Sequence, residues 1–208
     1  MQLRSDSFKQ GQPIPPEFAF ARIGKPVELS DNISPHLAWK DAPQGTRSFA
    51  LLCIDKDVPS KPDDVNKEGH TVPAELPRVE FSHWLMVDIP AECGEFGAGV
   101  SGEGVVPRGK RHPVGPPGSK QGVNDYTGWF AGDKDMEGTY LGYDGPCPPW
   151  NDSIVHHYHF RLYALDVASL GLEDGFSLAD VRKAMDGHVL AEAEVMGTYS
   201  LNPAVSGG

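Results

Sequence analysis

Glycine and proline interrupt this chain too often for long helices, at 24 and 19 of its 208 residues, together nearly double ordinary usage. Glycine inside a helix loses backbone entropy, and proline removes a donor and clashes with the preceding turn. A helical bundle is therefore disfavoured. The glycines follow no three-residue period, which excludes a collagen triple helix. What remains is a loop-rich, strand-built chain, read as one domain over residues 1–208 and long enough to bury a substantial core.

Three segments read as strands. Ser48–Asp55 is a short apolar run between a Pro-Gln-Gly turn and an Asp/Pro-rich loop. Phe81–Ile89 has the same character, and Pro90 ends it by withdrawing a ladder donor. In His156–Asp166, period-2 geometry puts His156, Tyr158, Phe160, Leu162 and Ala164 on one face and His157, His159, Arg161 and Tyr163 on the other. A helix is predicted from Ser177 to about Asp186: Ser177 and Asp180 form a cap, Leu178, Val181 and Met185 share a face, and Gly187 marks the stop. Val189–Leu201, with Val195, Gly197 and Tyr199, reads as a final strand, although Leu190–Glu194 taken alone would read as helix. Strands without alternating helices imply an antiparallel sheet. Residues 90–150 form a long polar, Gly/Pro-rich excursion of a kind that is uncommon unless functional.

The formal charge of −11 and pI of about 5.1 argue against nucleic-acid binding, which neutralises phosphates with basic residues. The one dense basic patch, Arg108-Gly109-Lys110-Arg111-His112, reads as a solvated loop. No apolar run is long enough to span a membrane, and the N-terminal residues lack a signal-peptide core, so a cytoplasmic protein is expected. Cys53, Cys93 and Cys147 are too few and too scattered for a disulfide framework or zinc ribbon. Asn151-Asp152-Ser153 matches a glycosylation sequon, which means little without an export signal.

Several motif matches fail on context. Gly97–Gly102 satisfies G-x-G-x-x-G, but the following Glu-Gly-Val-Val-Pro will not start the helix that a dinucleotide site needs. Asp133-x-Asp135-x-Glu137-Gly138 lacks flanking helices and the twelfth-position Glu of a calcium loop. His157 and His159 share a strand face, but no Cys or His pair completes a metal site, so no metal and no cofactor is expected. Cys147, between Pro146 and Pro148, reads as a small hydrophobe in a rigid loop ahead of a nucleophile.

A different constellation remains. His156 and Tyr158 stand at the entry of an otherwise apolar strand face, Asp55 closes another apolar strand, and His83 sits among Phe81, Trp84 and Leu85 on a third. An apolar lining with a few convergent polar groups is the make-up of a ligand pocket. Two imidazoles and a phenol suit an anion such as a phosphoryl group, with Asp55 orienting an imidazole. Buried, internally satisfied histidines would give the same pattern.

These residues carry a resemblance. Ser34-Pro35-His36-Leu37-Ala38-Trp39, Gly45–Leu51, Asp55-Lys56-Asp57-Val58-Pro59, His83-Trp84, Gly145-Pro146-Cys147-Pro148-Pro149 and His156–Asp166 occur in an order and spacing that resemble the phosphatidylethanolamine-binding protein (PEBP) family, in its prokaryotic, Raf kinase inhibitor-like branch. The resemblance runs from about residue 30 to 200. It implies antiparallel β-sheets in Greek-key arrangement with few helices. It also implies one pocket for phosphate, phosphorylethanolamine-like or other small anions, formed by Asp55, Asp57, His83, Gly145, Pro146, His156 and Tyr158. Gly145–Pro149 would form one wall, with a cis X–Pro bond expected there.

Three features depart from the family pattern: a longer connection from Trp150 to Val155, His157 in place of the usual Arg, and extended 60–80 and 128–140 segments. The resulting expectation is a binding protein with a regulatory role, partnered by a small anionic or phosphoryl ligand and a phosphoprotein, with a homodimer left open. Its imidazoles and Tyr158 would donate to ligand oxygens, and affinity would rise as pH falls. The alternative is a small hydrolase or lyase using His156 and Cys147, though no catalytic signature such as G-x-S-x-G is present.

Overall fold

A computed structural model describes residues 1–205; the last three residues of the domain read over 1–208 lie outside that range. Its centre is a five-stranded antiparallel sheet, joined by a three-stranded sheet and a two-stranded hairpin. The small sheet pairs β1 (Gln2–Arg4), β4 (Leu37–Lys40) and β7 (Glu95–Phe96), and the hairpin pairs β2 (Ala21–Ile23) with β3 (Val27–Leu29). The central sheet has the order β10-β9-β5-β6-β8, from β5 (Ser48–Pro59), β6 (Arg78–Pro90), β8 (Lys120–Gln121), β9 (His156–Leu165) and β10 (Val189–Tyr199). The only helices longer than three residues among those described are α1 (Tyr126–Trp129) and α2 (Leu178–Met185), and neither is long and apolar enough to cross a membrane.

Both faces of the sheet are covered, which explains why β5 is a continuous apolar run without alternation. Phe49, Leu51 and Cys53 face the larger core with Trp84, Phe160 and Leu162. Ala50, Leu52 and Ile54 face the smaller one with Phe176, Val181 and Met185 around α2. In β9 the predicted alternation holds, with His156, Tyr158, Phe160, Leu162 and Ala164 all buried. The capping box on α2 forms as its residues imply: Ser177 Oγ accepts from the Asp180 N–H, while the Asp180 carboxylate accepts from the Ser177 N–H. The strands run beyond their apolar stretches because, after an interruption, pairing resumes at Val58 with Val79 and Pro59 with Arg78.

Two readings of the loops need correction. Lys110 is not solvated with the rest of its basic run. It is 9 % exposed, and its ammonium donates to Asp144 Oδ1 at 2.7 Å and to the Tyr143 carbonyl at 2.8 Å, since a buried lysine requires a paired anion. The Gly145–Pro149 wall contains no cis bond; the one cis peptide among the described residues is Lys25–Pro26. The wall is instead held by backbone contacts, with the Pro146 carbonyl accepting from Phe20 N–H at 2.9 Å and Ala21 N–H at 3.3 Å.

Candidate functional site

The polar end of the larger core is assembled by irregularities in two strands. Where β5 meets β6, Cys53 pairs with Trp84 but Ile54 pairs with Ser82, so His83 is an extra residue in the ladder. A second shift between Asp55 and Val58 leaves Lys56 and Asp57 bulged. Bulges of this kind re-aim side chains. On the other side of β5, Asp55 stands opposite Tyr158 of β9.

These elements enclose a cavity of about 190 Å³ lined at its polar end by Asp55, His83, His156 and Tyr158. Phe81, Tyr126, Val58, Cys147, Pro148 and Pro149 form much of its apolar wall, and Pro62, Val65 and Asn66 of the 60–77 segment cover it. Trp129 stands at the mouth with 51 % of its surface exposed. Of the seven residues expected to form the site, Asp55, His83, His156 and Tyr158 meet on this cavity, while Asp57, Gly145 and Pro146 lie behind its walls. Asp57 accepts from both the backbone N–H and Nδ1 of His157 at 2.8 Å. Gly145 is locked in place, its N–H donating to Asn32 and its carbonyl accepting from Tyr126 Oη at 2.6 Å. A Cβ there would meet the Phe18 carbonyl oxygen at 2.1 Å, so only glycine fits this close approach.

The two imidazoles have different roles. His156 is fully buried, with Nδ1 2.6 Å from Asp55 Oδ2 and Nε2 3.1 Å from Asp152 Oδ2. Burial opposes its charge, but the hydrogen bonds that it donates to Asp152 and Asp55 outweigh that and raise its pKa to about 9. His156 is therefore an imidazolium at neutral pH whose nitrogens donate to its own chain and not to a ligand. Asp152 is held in turn by Arg78, whose guanidinium reaches both carboxylate oxygens at 2.6 and 3.1 Å. Burial raises the Asp152 pKa, yet the bonds to His156 and Arg78 bring it below its usual value.

His83 has the opposite balance. Burial lowers its pKa, and the nearby Asp55, Asp125 and Asp144 only partly restore it. Its Nδ1 lies 2.8 Å from the Asp144 carbonyl oxygen. A carbonyl only accepts, so Nδ1 carries the proton and Nε2 of the neutral ring offers a lone pair. That Nε2 has no hydrogen-bond partner among the described residues. Asp144 is fixed by Asn32, Lys110 and Asn124, which hold the carbonyl that orients His83. The Tyr158 hydroxyl, buried to 1 % exposure, also has no partner. Burial raises its pKa well above the usual value, so it keeps its proton. Its ring centroid lies 5.1 Å from that of His83, edge to face.

Burial against the cavity wall pushes the Cys147 thiol up to about 12, and a neutral thiol is a poor nucleophile. His159 pairs with Glu194 on the far side of the sheet from the cavity. Sequence reasoning missed Arg78 and Asp152, which come together from 74 residues apart. It also missed Tyr126, Trp129 and the covering residues Pro62, Val65 and Asn66; the apolar Pro/Val spacing of the cover carries no pattern that distinguishes it from an ordinary loop.

Comparison with known proteins gives one consistent match. The family model described as phosphatidylethanolamine-binding protein aligns with residues 4–200. A UPF0098 protein of Aquifex aeolicus is 34 % identical over 199 residues, covering 96 % of this chain and 88 % of its own. Another, from Methanothermobacter thermautotrophicus, is 40 % identical over 169 residues, covering 81 % and 83 %. Among solved structures, Escherichia coli YbcL, described as a new member of the mammalian PEBP family, superposes with a TM-score of 0.66 at 27 % identity, covering 96 % of this chain and 97 % of its own.

Proposed function

The chain belongs to the phosphatidylethanolamine-binding protein family, and from that premise we propose that it binds a small phosphoryl-bearing or other anionic ligand, of the phosphorylethanolamine type, in the cavity between His83 and Tyr158. The observation that carries this reading is the Tyr158 hydroxyl, buried and unpartnered at the polar end of an otherwise apolar cavity. A buried hydroxyl without a partner costs on the order of 1–3 kcal/mol, and a ligand oxygen would recover it. The ligand's remaining part would rest against Phe81, Tyr126 and Trp129.

The regulatory side of the proposal draws support from Trp129. Half exposed at the mouth, it is where a protein presenting a phosphorylated side chain would make contact. A cytoplasmic setting fits the three free thiols, Cys53, Cys93 and Cys147. The hydrolase or lyase alternative loses support, because Cys147 is held as a thiol and both His156 nitrogens are engaged.

The test is calorimetric titration with phosphorylethanolamine and inorganic phosphate. Tyr158→Phe keeps the ring and removes the one donor, and is expected to weaken binding by roughly tenfold. Undiminished affinity in Tyr158→Phe, or no heat from either ligand at millimolar concentration, would overturn the proposal.

A further inference from the structure

Ligand capture leaves one feature of the cavity without a use, the negative field around His83. Asp55, Asp125 and Asp144 each favour the protonated imidazole, yet burial outweighs them and the ring is neutral at rest. Asp55 is bonded to His156 and Asp144 to Lys110, while Asp125 accepts from the Ser82 N–H. Asp57, on the bulge of β5, is bonded to His157. No lysine or arginine among the described residues lines the cavity. Such a field does little for a neutral ring and stabilises an imidazolium as soon as a proton arrives. That is the electrostatic setting of a general base.

The geometry agrees. Nδ1–H is committed to the Asp144 carbonyl at 2.8 Å, so the basic nitrogen is Nε2, which has no partner among the described residues. The His83 ring is packed against Phe81, Tyr126 and Tyr158, with centroids 4.9, 5.6 and 5.1 Å away. Tyr158 presents a hydroxyl that keeps its proton and has no partner. Tyr126 does not compete as a donor, because its hydroxyl is bonded to the Gly145 carbonyl. An oriented base and one donor therefore meet at the polar end of a cavity whose remaining walls are largely apolar. A base beside a hydroxyl in an apolar cavity suits the removal of a proton next to a carbonyl, since charge appears on the oxygen as the proton leaves carbon.

We propose that this cavity catalyses proton shifts on small, uncharged, apolar ketones, with His83 as the base and Tyr158 as the donor to the carbonyl oxygen. In a β,γ-unsaturated ketone, Nε2 takes a proton from the carbon between the carbonyl and the double bond. The C–H electron pair moves into the ketone and gives a dienolate, whose oxygen accepts from the Tyr158 hydroxyl. Nε2–H then returns the proton to the γ-carbon, leaving the conjugated α,β-isomer and a neutral His83. Atoms and charge balance with no co-reactant. Imidazolium and dienolate form and vanish together, so no net charge enters the cavity. This activity goes beyond the phosphoryl-binding reading and does not depend on it, although both use the same two atoms.

The experiment incubates the whole chain with the β,γ-isomer of cyclohexenone and follows the ultraviolet absorbance of the conjugated product. Turnover is expected to exceed the buffer rate by about a thousandfold or more. Tyr158→Phe should lower kcat on the order of a hundredfold with a smaller effect on KM, because its hydrogen bond strengthens as the oxygen gains charge. His83→Gln should abolish turnover; if that variant fails to fold, Tyr158→Phe and the pH profile decide the matter. In the wild type, kcat/KM should be level through neutral pH and fall below about pH 6.5 as His83 takes up a proton. His112→Gln, exposed and outside the cavity, controls for catalysis by a surface histidine and should leave the rate unchanged. No turnover above buffer in the wild type, or turnover that His83→Gln and Tyr158→Phe retain in full, overturns the inference. Phosphorylethanolamine should inhibit competitively. Calorimetric binding of phosphorylethanolamine with no turnover of the ketone overturns the activity alone. Turnover that phosphorylethanolamine leaves untouched, with no heat of binding, overturns the phosphoryl-binding reading alone.

Discussion

His83 and His156 lie on the same cavity, yet their surroundings push them to opposite protonation states. Asp55 and Asp152 hold His156 charged, with a pKa of about 9, whereas burial leaves His83 neutral. The consequence for stability has a definite sign. A histidine whose folded pKa lies above its unfolded value of about 6.5 stabilises the fold fully below that value and loses the contribution as pH rises through the folded pKa. For His156 the window is roughly pH 6.5 to 9, and the contribution is on the order of 3 kcal/mol. Chemical denaturation at pH 6.5 and pH 9.5 should show a loss of that order, and His156→Gln should remove most of the difference. An unchanged pH dependence in the variant would show that other groups govern it. Gly145 illustrates a different residue-level role. Its presence among the expected site residues is explained by its close approach to Phe18 and by the bonds that hold the wall, without direct contact with the cavity.

At the scale of elements, the cavity depends on joining two surface segments that sequence patterns leave separate. Asn151, buried at 6 % exposure, connects the segment before β9 to the 64–70 backbone, 81 to 87 residues away in sequence. The Val72 N–H donates to the Asn151 carbonyl and the Ser153 N–H to the Val72 carbonyl, which completes the join. Removing the Asn151 amide strands several backbone groups that now have partners. Asn151→Ala should therefore cost about 2 kcal/mol or more and speed amide exchange across residues 64–72. Hydrogen-exchange mass spectrometry checks this, and unchanged protection there would contradict the role of Asn151. The same distinction explains how much could be read beforehand. Strands β5, β6, β9 and β10 and helix α2 were legible because their signals are local: apolar runs, period-2 alternation, and a Ser177/Asp180 cap. Strands of two to four residues, such as β1, β7 and β8, are too short to show a period. Asp152 shows in the sequence only as the middle of a sequon, because its partner Arg78 is reached through tertiary folding alone.

For the whole molecule, the acidic balance and the proposed anion site are reconciled by where the charges lie. A net charge of −11 repels anions at long range. The proposed ligand would instead be retained at short range by hydrogen bonds in a buried setting, where they gain strength from the low local dielectric. The Gly/Pro excess has a matching distribution. Much of it falls in the 90–150 excursion, where Gly145–Pro149 supports a cavity wall and the Lys110–Asp144 pair fixes the carbonyl that orients His83. The excursion is thus scaffold for the proposed site. The central claim is that the ligand's head group meets Tyr158 and His83 while His156 stays bonded to its own chain. Nitrogen-15 NMR of the histidine rings during titration with phosphorylethanolamine tests it most directly. The account predicts that Nε2 of His83 shifts with saturation while both nitrogens of His156 hold their positions; a shift at His156 with His83 unmoved, or no shift at either ring, would contradict it.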